Sequence, residues 1–246
     1  MNSSPIGVFD SGVGGLSLLR ELQRLLPNED FIYYGDRENA PYGAKTHKEI
    51  LDISKGIVDE LLARGAKAIV VACNTASTVV KPKNAFMLKP NLDDLNSQST
   101  LILCTPATEK ALRLKEKGYK TADTKNLATA VEILCETAFK SNDFSCINHL
   151  ENHLKTIIDN GIEKRKIDTI YLGCSHYLYF KKIIEALYPD IEILDGNKRL
   201  INDLKSSKIP QNGHEETAFD FTLGNQRNKY TWLLSKLEDI LDISDI

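Results

Sequence analysis

Two cysteines in this chain sit in matching surroundings. Cys73 follows the apolar run Ala68-Ile69-Val70-Val71-Ala72 and precedes Asn74 and Thr75. Cys174 follows Thr169-Ile170-Tyr171-Leu172-Gly173 and precedes Ser175 and His176. Each is an apolar strand pattern, then a small residue, then a thiol, then polar groups. Segments so alike point to two pseudo-symmetric halves whose thiols face a common cleft. Opposed thiols suit inversion at a carbon acid: one strips a proton from one face and the other delivers a proton to the opposite face, the two trading roles in reverse. An ordinary thiol has a pKa near 8.5, and a helix N-terminus or a neighbouring cation lowers it, toward the range where general acid–base catalysis is efficient. Each cysteine is expected to open a helix whose dipole favours the thiolate. The competing reading is a small buried hydrophobe at a strand end; Cys104, Cys135 and Cys146 are assigned that role. A redox pair has no CxxC motif to support it.

Other residues can assist. The turn Asp10-Ser11-Gly12-Val13-Gly14-Gly15 offers backbone N–H groups at a helix start, where a carboxylate can be held. Its G-x-G-G spacing is not the G-x-G-x-x-G of a dinucleotide site. Asp10 can hold an ammonium, orient a thiol, or simply cap the helix. His176 can stand as a cation beside Cys174, or as an ordinary hydrogen-bonded loop histidine. His149 and His153 lie four apart in a helical pattern with no further ligand type nearby, so they are read as a solvated face and not as a metal site.

The elements that must position these groups alternate. Ile6–Phe9, Phe31–Tyr34, Lys67–Ala72, Thr100–Cys104, Asp168–Gly173, Ile191–Leu194 and the alternating Phe219, Phe221 and Leu223 read as strands. Leucines at 16, 19, 22 and 26 mark a helix stopped by Pro27. Thr46 with Glu49 forms a capping box ahead of a helix carrying Ile50, Ile53, Ile57 and Leu61. Thr105-Pro106 reads as an N-cap with proline at the first helical position. Further helices are expected over Leu127–Phe139, Ile147–Asp159 and Arg227–Leu241. The segment Thr78–Gln98 is less regular, and a lobe boundary is placed there. Alternating strands and helices predict an α/β fold with mostly parallel sheets flanked by helices. Ligands then sit beyond the carboxyl ends of the strands, where the polar clusters at 10–15, 35–43, 73–77 and 174–177 all fall.

Composition narrows the classes. The chain has 246 residues, 42% of them hydrophobic and 26% charged, with a net charge of -3. That length fits one large or two smaller α/β units. There is no basic tract for nucleic acid and no apolar run long enough for a membrane span. Met1-Asn2-Ser3-Ser4-Pro5 lacks a signal-peptide pattern, and five widely spaced cysteines make a disulfide framework unexpected. The cytoplasm is the expected compartment.

Taken together, four segments resemble the glutamate racemases of the aspartate/glutamate racemase superfamily. They are Ile6-Gly7-Val8-Phe9-Asp10-Ser11-Gly12-Val13-Gly14-Gly15-Leu16, then Tyr34-Gly35-Asp36 with Ala40-Pro41-Tyr42-Gly43, then Ala72-Cys73-Asn74-Thr75-Ala76-Ser77, then Leu172-Gly173-Cys174-Ser175-His176-Tyr177. They run in order over most of the chain. The resemblance implies an isomerase with Cys73 serving the D-enantiomer and Cys174 the L-enantiomer. It implies that Asp10, Ser11, Tyr42, Gly43, Asn74, Thr75, Ser175 and His176 bind glutamate. Pro41, Thr105, Thr108 and Glu132 would support the site, Glu132 near the second thiol. It further implies no pyridoxal phosphate or other cofactor, no metal, a homodimer, and a role in supplying D-glutamate for peptidoglycan. The fold it implies has two α/β lobes with the site in the cleft between them, residues 1–90 plus 205–246 forming the first and 91–204 the second.

The chain departs from the family pattern in places. The stretch Thr78–Met87 between the Cys73 motif and Leu88-Lys89-Pro90 is short, which predicts the loss of a helical turn or two and of a core strand. Ser175 stands where threonine is usual and Leu178 where proline is usual, and Thr121–Ala128 lacks a usual proline. Two alternatives therefore stay open: a catalytically impaired homologue that binds or regulates, and a racemase of another acidic amino acid such as aspartate.

Overall fold

The computed structural model describes residues 4–163, 166–207, 209–210, 219–221 and 227–240. Met1–Ser3, the expected strand residue Leu223 and the expected helix end Leu241 lie outside them. The first sheet contains β1 (Ile6–Asp10), β2 (Phe31–Gly35), β3 (Ala68–Val71), β4 (Ala85–Met87) and β9 (Phe219–Phe221), ordered β4-β3-β1-β2-β9. The second contains β5 (Thr100–Cys104), β6 (Lys120–Thr121), β7 (Thr169–Gly173) and β8 (Glu192–Leu194), ordered β6-β5-β7-β8. Every pairing is parallel. All residues of β1, β3 and β5 are buried, as a sheet covered on both faces requires. The α-helices are α1 (Leu16–Leu25), α2 (His47–Ala63), α3 (Asn74–Ser77), α4 (Pro106–Leu112), α5 (Leu127–Ser141), α6 (Glu151–Ile162), α7 (Lys181–Leu187), α8 (Asn197–Lys205) and α9 (Arg227–Ile240). No helix is long and apolar enough to cross a membrane among the described residues.

Local chemistry explains the boundaries. Thr46 accepts from the Glu49 N–H and Glu49 reaches back to the Thr46 N–H, closing the capping box that starts α2. Thr105 caps α4 through the Thr108 N–H, with Pro106 at its first turn.

Three expectations need correction. A core strand is not missing after Cys73: β4 is present and pairs with β3, Ile69 opposite Ala85 and Val71 opposite Met87. What is reduced is the intervening helix, a single turn over Asn74–Ser77, and Asn84 takes a left-handed conformation to feed β4. The helix expected from Ile147 begins later, because Ser145–Leu150 winds as a 3-10 helix before α6. Among the interior-type cysteines, Cys104 and Cys135 are buried, but Cys146 is only partly so.

The sheets share one apolar core. Val8, Leu16 and Leu19 of the first half pack in the same cluster as Leu101, Leu172, Tyr177 and Phe180 of the second and Leu233 of α9. The outer face of each sheet has its own smaller cluster. Strand registers then align the loops: Asp10 sits opposite Gly35 and Phe9 opposite Val71 in one sheet, Cys104 opposite Gly173 in the other. The carboxyl ends of β1, β2 and β3 therefore emerge together, as do those of β5 and β7.

Candidate active site

β3 delivers Cys73 at its carboxyl end, and β7 delivers Cys174. Both cysteines line one cavity of about 360 Å³, together with Ser11, Asn74, Ser175 and His176. Tyr42, Gly43, Thr75, Thr105, Pro41 and Glu132 complete the predicted residues that reach it. Asp10 and Thr108 do not line it; they stand behind its wall. The cavity size is that of a small-molecule site.

The two thiols have different neighbours. Cys73 donates to the Ser11 hydroxyl at 3.6 Å. Burial, with the Asp10 charge nearby, pushes its thiol up to about 12. The expected lowering by a helix dipole does not prevail: α3 is one turn long, and desolvation outweighs it. Cys174 opens a 3-10 helix over Ser175–Phe180 and not an α-helix, so no long α-helical dipole addresses it. Its neighbour is a side chain, with Sγ 3.9 Å from His176 Nδ1.

The contacts of His176 favour its charged form. Its Nε2 donates to Glu132 Oε1 at 2.8 Å, and the same oxygen accepts from the Val13 N–H at 2.7 Å. Burial opposes a charge on His176, but contact with Cys174 and Glu132 overcomes it and holds the imidazole well above its usual range. The Glu132 carboxyl is likewise desolvated, yet the His176 contact and the Val13 N–H keep it below the usual carboxylate range. A buried imidazolium–carboxylate pair thus stands behind Cys174.

Asp10 is wholly buried, does not line the cavity, and bonds a residue from the other half of the chain that does. Its carboxylate accepts from Ser175 Oγ at 2.8 Å and from the Gly12 N–H at 3.0 Å. Burial raises its carboxyl, while the His176 charge and the Ser175 and Gly12 bonds pull it back. The glycine turn makes room for both carboxylates: a Cβ on Gly15 would fall 2.7 Å from Asp10 Cβ, and one on Gly12 would fall 1.8 Å from Glu132 Oε1.

The opposite wall is polar and neutral. The hydroxyls of Thr75, Thr105 and Thr108 close a triangle at 2.9, 3.1 and 3.0 Å, joining α3 of the first half to the start of α4 in the second. Tyr42 donates to Asp36 at 2.5 Å, and Asp36 also accepts from Asn39 at 3.0 Å. The Ala40-Pro41 peptide is cis. Asn74 is 2% exposed, and neither end of its amide has a hydrogen-bond partner among the described residues. Both ends of this buried amide are therefore open to a polar partner, where most buried polar groups already have one.

Sequence reading missed one side of the cavity. Thr124, Lys125, Asn126 and Thr129, around the first turn of α5, line it, as does Tyr177. The polar triplet Thr124-Lys125-Asn126 ahead of an apolar helix was the available signal. Among the described residues no group of three or more His, Cys, Asp or Glu can hold a metal ion, His149 and His153 included.

No protein-family model matches the chain. A glutamate racemase of Campylobacter curvus is 35% identical over 82% of this chain and 82% of its own length. A glutamate racemase of Clostridium acetobutylicum is 33% identical over 99% of this chain and 97% of its own. Among solved structures, a glutamate racemase of Thermus thermophilus in complex with β-chloro-D-alanine superposes with a TM-score of 0.74. It has 26% identity and covers 94% of this chain and 93% of that one.

Proposed function

The chain belongs to the glutamate racemase family, and from that premise we propose that it interconverts L- and D-glutamate with Cys73 and Cys174 as the two proton-transferring thiols. The observation that carries the reading is that one cavity receives a thiol from each sheet. In the L-to-D direction a Cys174 thiolate takes the α-proton, and Cys73 gives its own proton to the far face of the carbanion. Cys174 ends as a thiol and Cys73 as a thiolate; the D-to-L direction runs the same transfer backwards. Burial keeps Cys73 protonated at rest, which is the state an acid needs. The imidazolium of His176 stabilises negative charge on Cys174, and the proposed step uses no cofactor.

Glutamate brings two carboxylates and an ammonium. In this reading Ser11, Tyr42, Gly43, Asn74, Thr75, Ser175 and His176 contact it, mostly through neutral donors. Asp10 acts on the substrate through Ser175, while Pro41, Thr105, Thr108 and Glu132 hold the walls. The lobes are residues 1–90 plus 205–246 and residues 91–204. The product supplies D-glutamate for peptidoglycan synthesis in the cytoplasm, and the working form is a homodimer, which sedimentation of the purified protein checks.

Circular dichroism of L- or D-glutamate incubated with the protein tests the activity. Decay of the signal to zero is expected from either enantiomer; a constant signal at every pH would end the reading. Faster decay with aspartate would favour the aspartate alternative. A purely binding homologue is disfavoured by the retention of both thiols in one cavity.

A further inference from the structure

α5 carries Glu132 and Glu136 one helical turn apart, so both face the same side. Like charges so placed repel, and each draws a cation from elsewhere. Glu132 takes His176. Glu136 takes Lys229 Nζ of α9 at 3.2 Å, Arg37 Nη1 at 3.2 Å and Lys140 Nζ at 3.3 Å. The three cations on Glu136 differ in burial. Side-chain exposure is 44% for Arg37 and 71% for Lys140, but 4% for Lys229. Exposed charges are screened by water and salt; a buried one is not. Lysine is almost never fully buried unless paired, and a buried ion pair is weak ground for stability. Its placement calls for another use. The Lys229 charge acts on the Glu132 carboxylate, one turn from its own partner.

We infer that Lys229 is a positioning residue for proton transfer at Cys174: its buried ammonium, acting along the Glu136–Glu132 face of α5, fixes the carboxylate that orients His176 against the thiol. The inference rests on the racemase reading. The groups that face this cluster are Asp10 from β1, Tyr33 from β2, and Arg37 from the turn after β2. Cys135 and Lys140 face it from α5, Cys174, His176 and Tyr179 from the segment after β7, and Tyr230 from α9. Removing a positive charge among them makes each nearby acid bind its proton more tightly.

The test is Lys229→Met, with Lys229→Arg and Glu136→Gln as companions. Racemisation has an equilibrium constant of one, so kcat/KM must change equally in both directions, and directional evidence has to come from isotope exchange. In Lys229→Met the acid limb of the kcat/KM profile is expected to move up by about one pH unit, the scale of one charge acting across about 12 Å at an effective dielectric near 20. On that limb, deuterium entry from D2O into L-glutamate is expected to slow about tenfold relative to entry into D-glutamate. Lys229→Arg restores the profile, and Glu136→Gln, which removes a negative charge from the same face, moves the limb the other way. Should Lys229→Met fail to fold, the Glu136→Gln shift and the Lys229→Arg profile decide. An unshifted limb in Lys229→Met or Glu136→Gln, or equal slowing of exchange into both enantiomers, overturns the inference. A wild-type protein that racemises glutamate at no pH overturns the racemase reading instead.

Discussion

Gly14 and Ser175 come from opposite halves of the chain and meet so closely that a Cβ on Gly14 would stand 2.5 Å from the Ser175 hydroxyl oxygen. The His176 backbone nitrogen, at 2.8 Å, blocks the way out. Gly14→Ala must therefore push the Cys174-Ser175-His176 segment out of place. Overpacking of this kind costs about 1–3 kcal/mol, and we expect kcat/KM to fall by about a hundredfold or more, since small displacements of catalytic groups are that costly. Circular dichroism of racemisation, beside a melting curve showing the variant folded, checks this. Full activity would mean the contact can open freely.

Cys73→Ser replaces an acidic thiol by a hydroxyl that is a far weaker acid. Racemisation is expected to fall about 10²–10⁴-fold, the usual worth of a general acid or base, and by the same factor in both directions. Exchange of the α-proton with D2O should persist for L-glutamate, through Cys174, and vanish for D-glutamate. Persistence in the D-enantiomer alone would reverse the assignment of the thiols.

Asn74→Ala separates binding from stability. The amide has no hydrogen-bond partner among the described residues, so its desolvation is already suffered in the free protein. Removing it should leave the melting temperature unchanged or raised. The lost bonds to a charged substrate are worth about 1.5–3 kcal/mol, so KM is expected to rise about 10- to 100-fold. A lowered melting temperature with unchanged KM would show that the amide serves the fold.

Glu21 should make stability depend on pH. It lies on α1, and Oε1 accepts from Asn197 Nδ2 of α8 at 2.9 Å, a bond between the halves. Glu21 Oε2 and Asn197 Oδ1 have no partner among the described residues; both are acceptors, and a proton on Glu21 adds the missing donor. Burial lifts the Glu21 carboxyl from 4.5 to about 7, against the Asn197 bond, with Asp195 raising it further and Lys181 lowering it. A raised acid gives stability that is fully present below the unfolded value and lost as pH climbs to the folded one. The loss runs at about 1.4 kcal/mol per pH unit. Glu21→Gln keeps a donor at every pH, so its stability relative to wild type should grow between pH 4.5 and 7 and then level off. Urea unfolding across that range measures it; a constant difference would count against a titrating Glu21.

Much of the arrangement was legible because parallel sheets put function at strand ends. Cys73 and Cys174 each follow an apolar run, and the sheets bring those ends to one cavity. The caps at Thr46 and Thr105 were readable because their side-chain bonds are local. β4 was not, because Ala85–Met87 is a short, half-buried edge strand with no alternation to announce it. The 3-10 winding after Cys174 was hidden too: Ser175–Phe180 is buried throughout, so no polar face betrays its period. The Thr124–Thr129 wall and Lys229 depend on how α5 and α9 pack against the rest, which no local pattern encodes.

That Tyr177 and Phe180 are packed among Leu16, Leu19 and Leu233 also bears on how the molecule comes apart. Neither half can melt while the other survives, because each would strip the other's oily interior. Calorimetry should record a single peak, with calorimetric and van't Hoff enthalpies in agreement. A fragment cut to residues 91–204 would expose what the intact chain hides, and should aggregate.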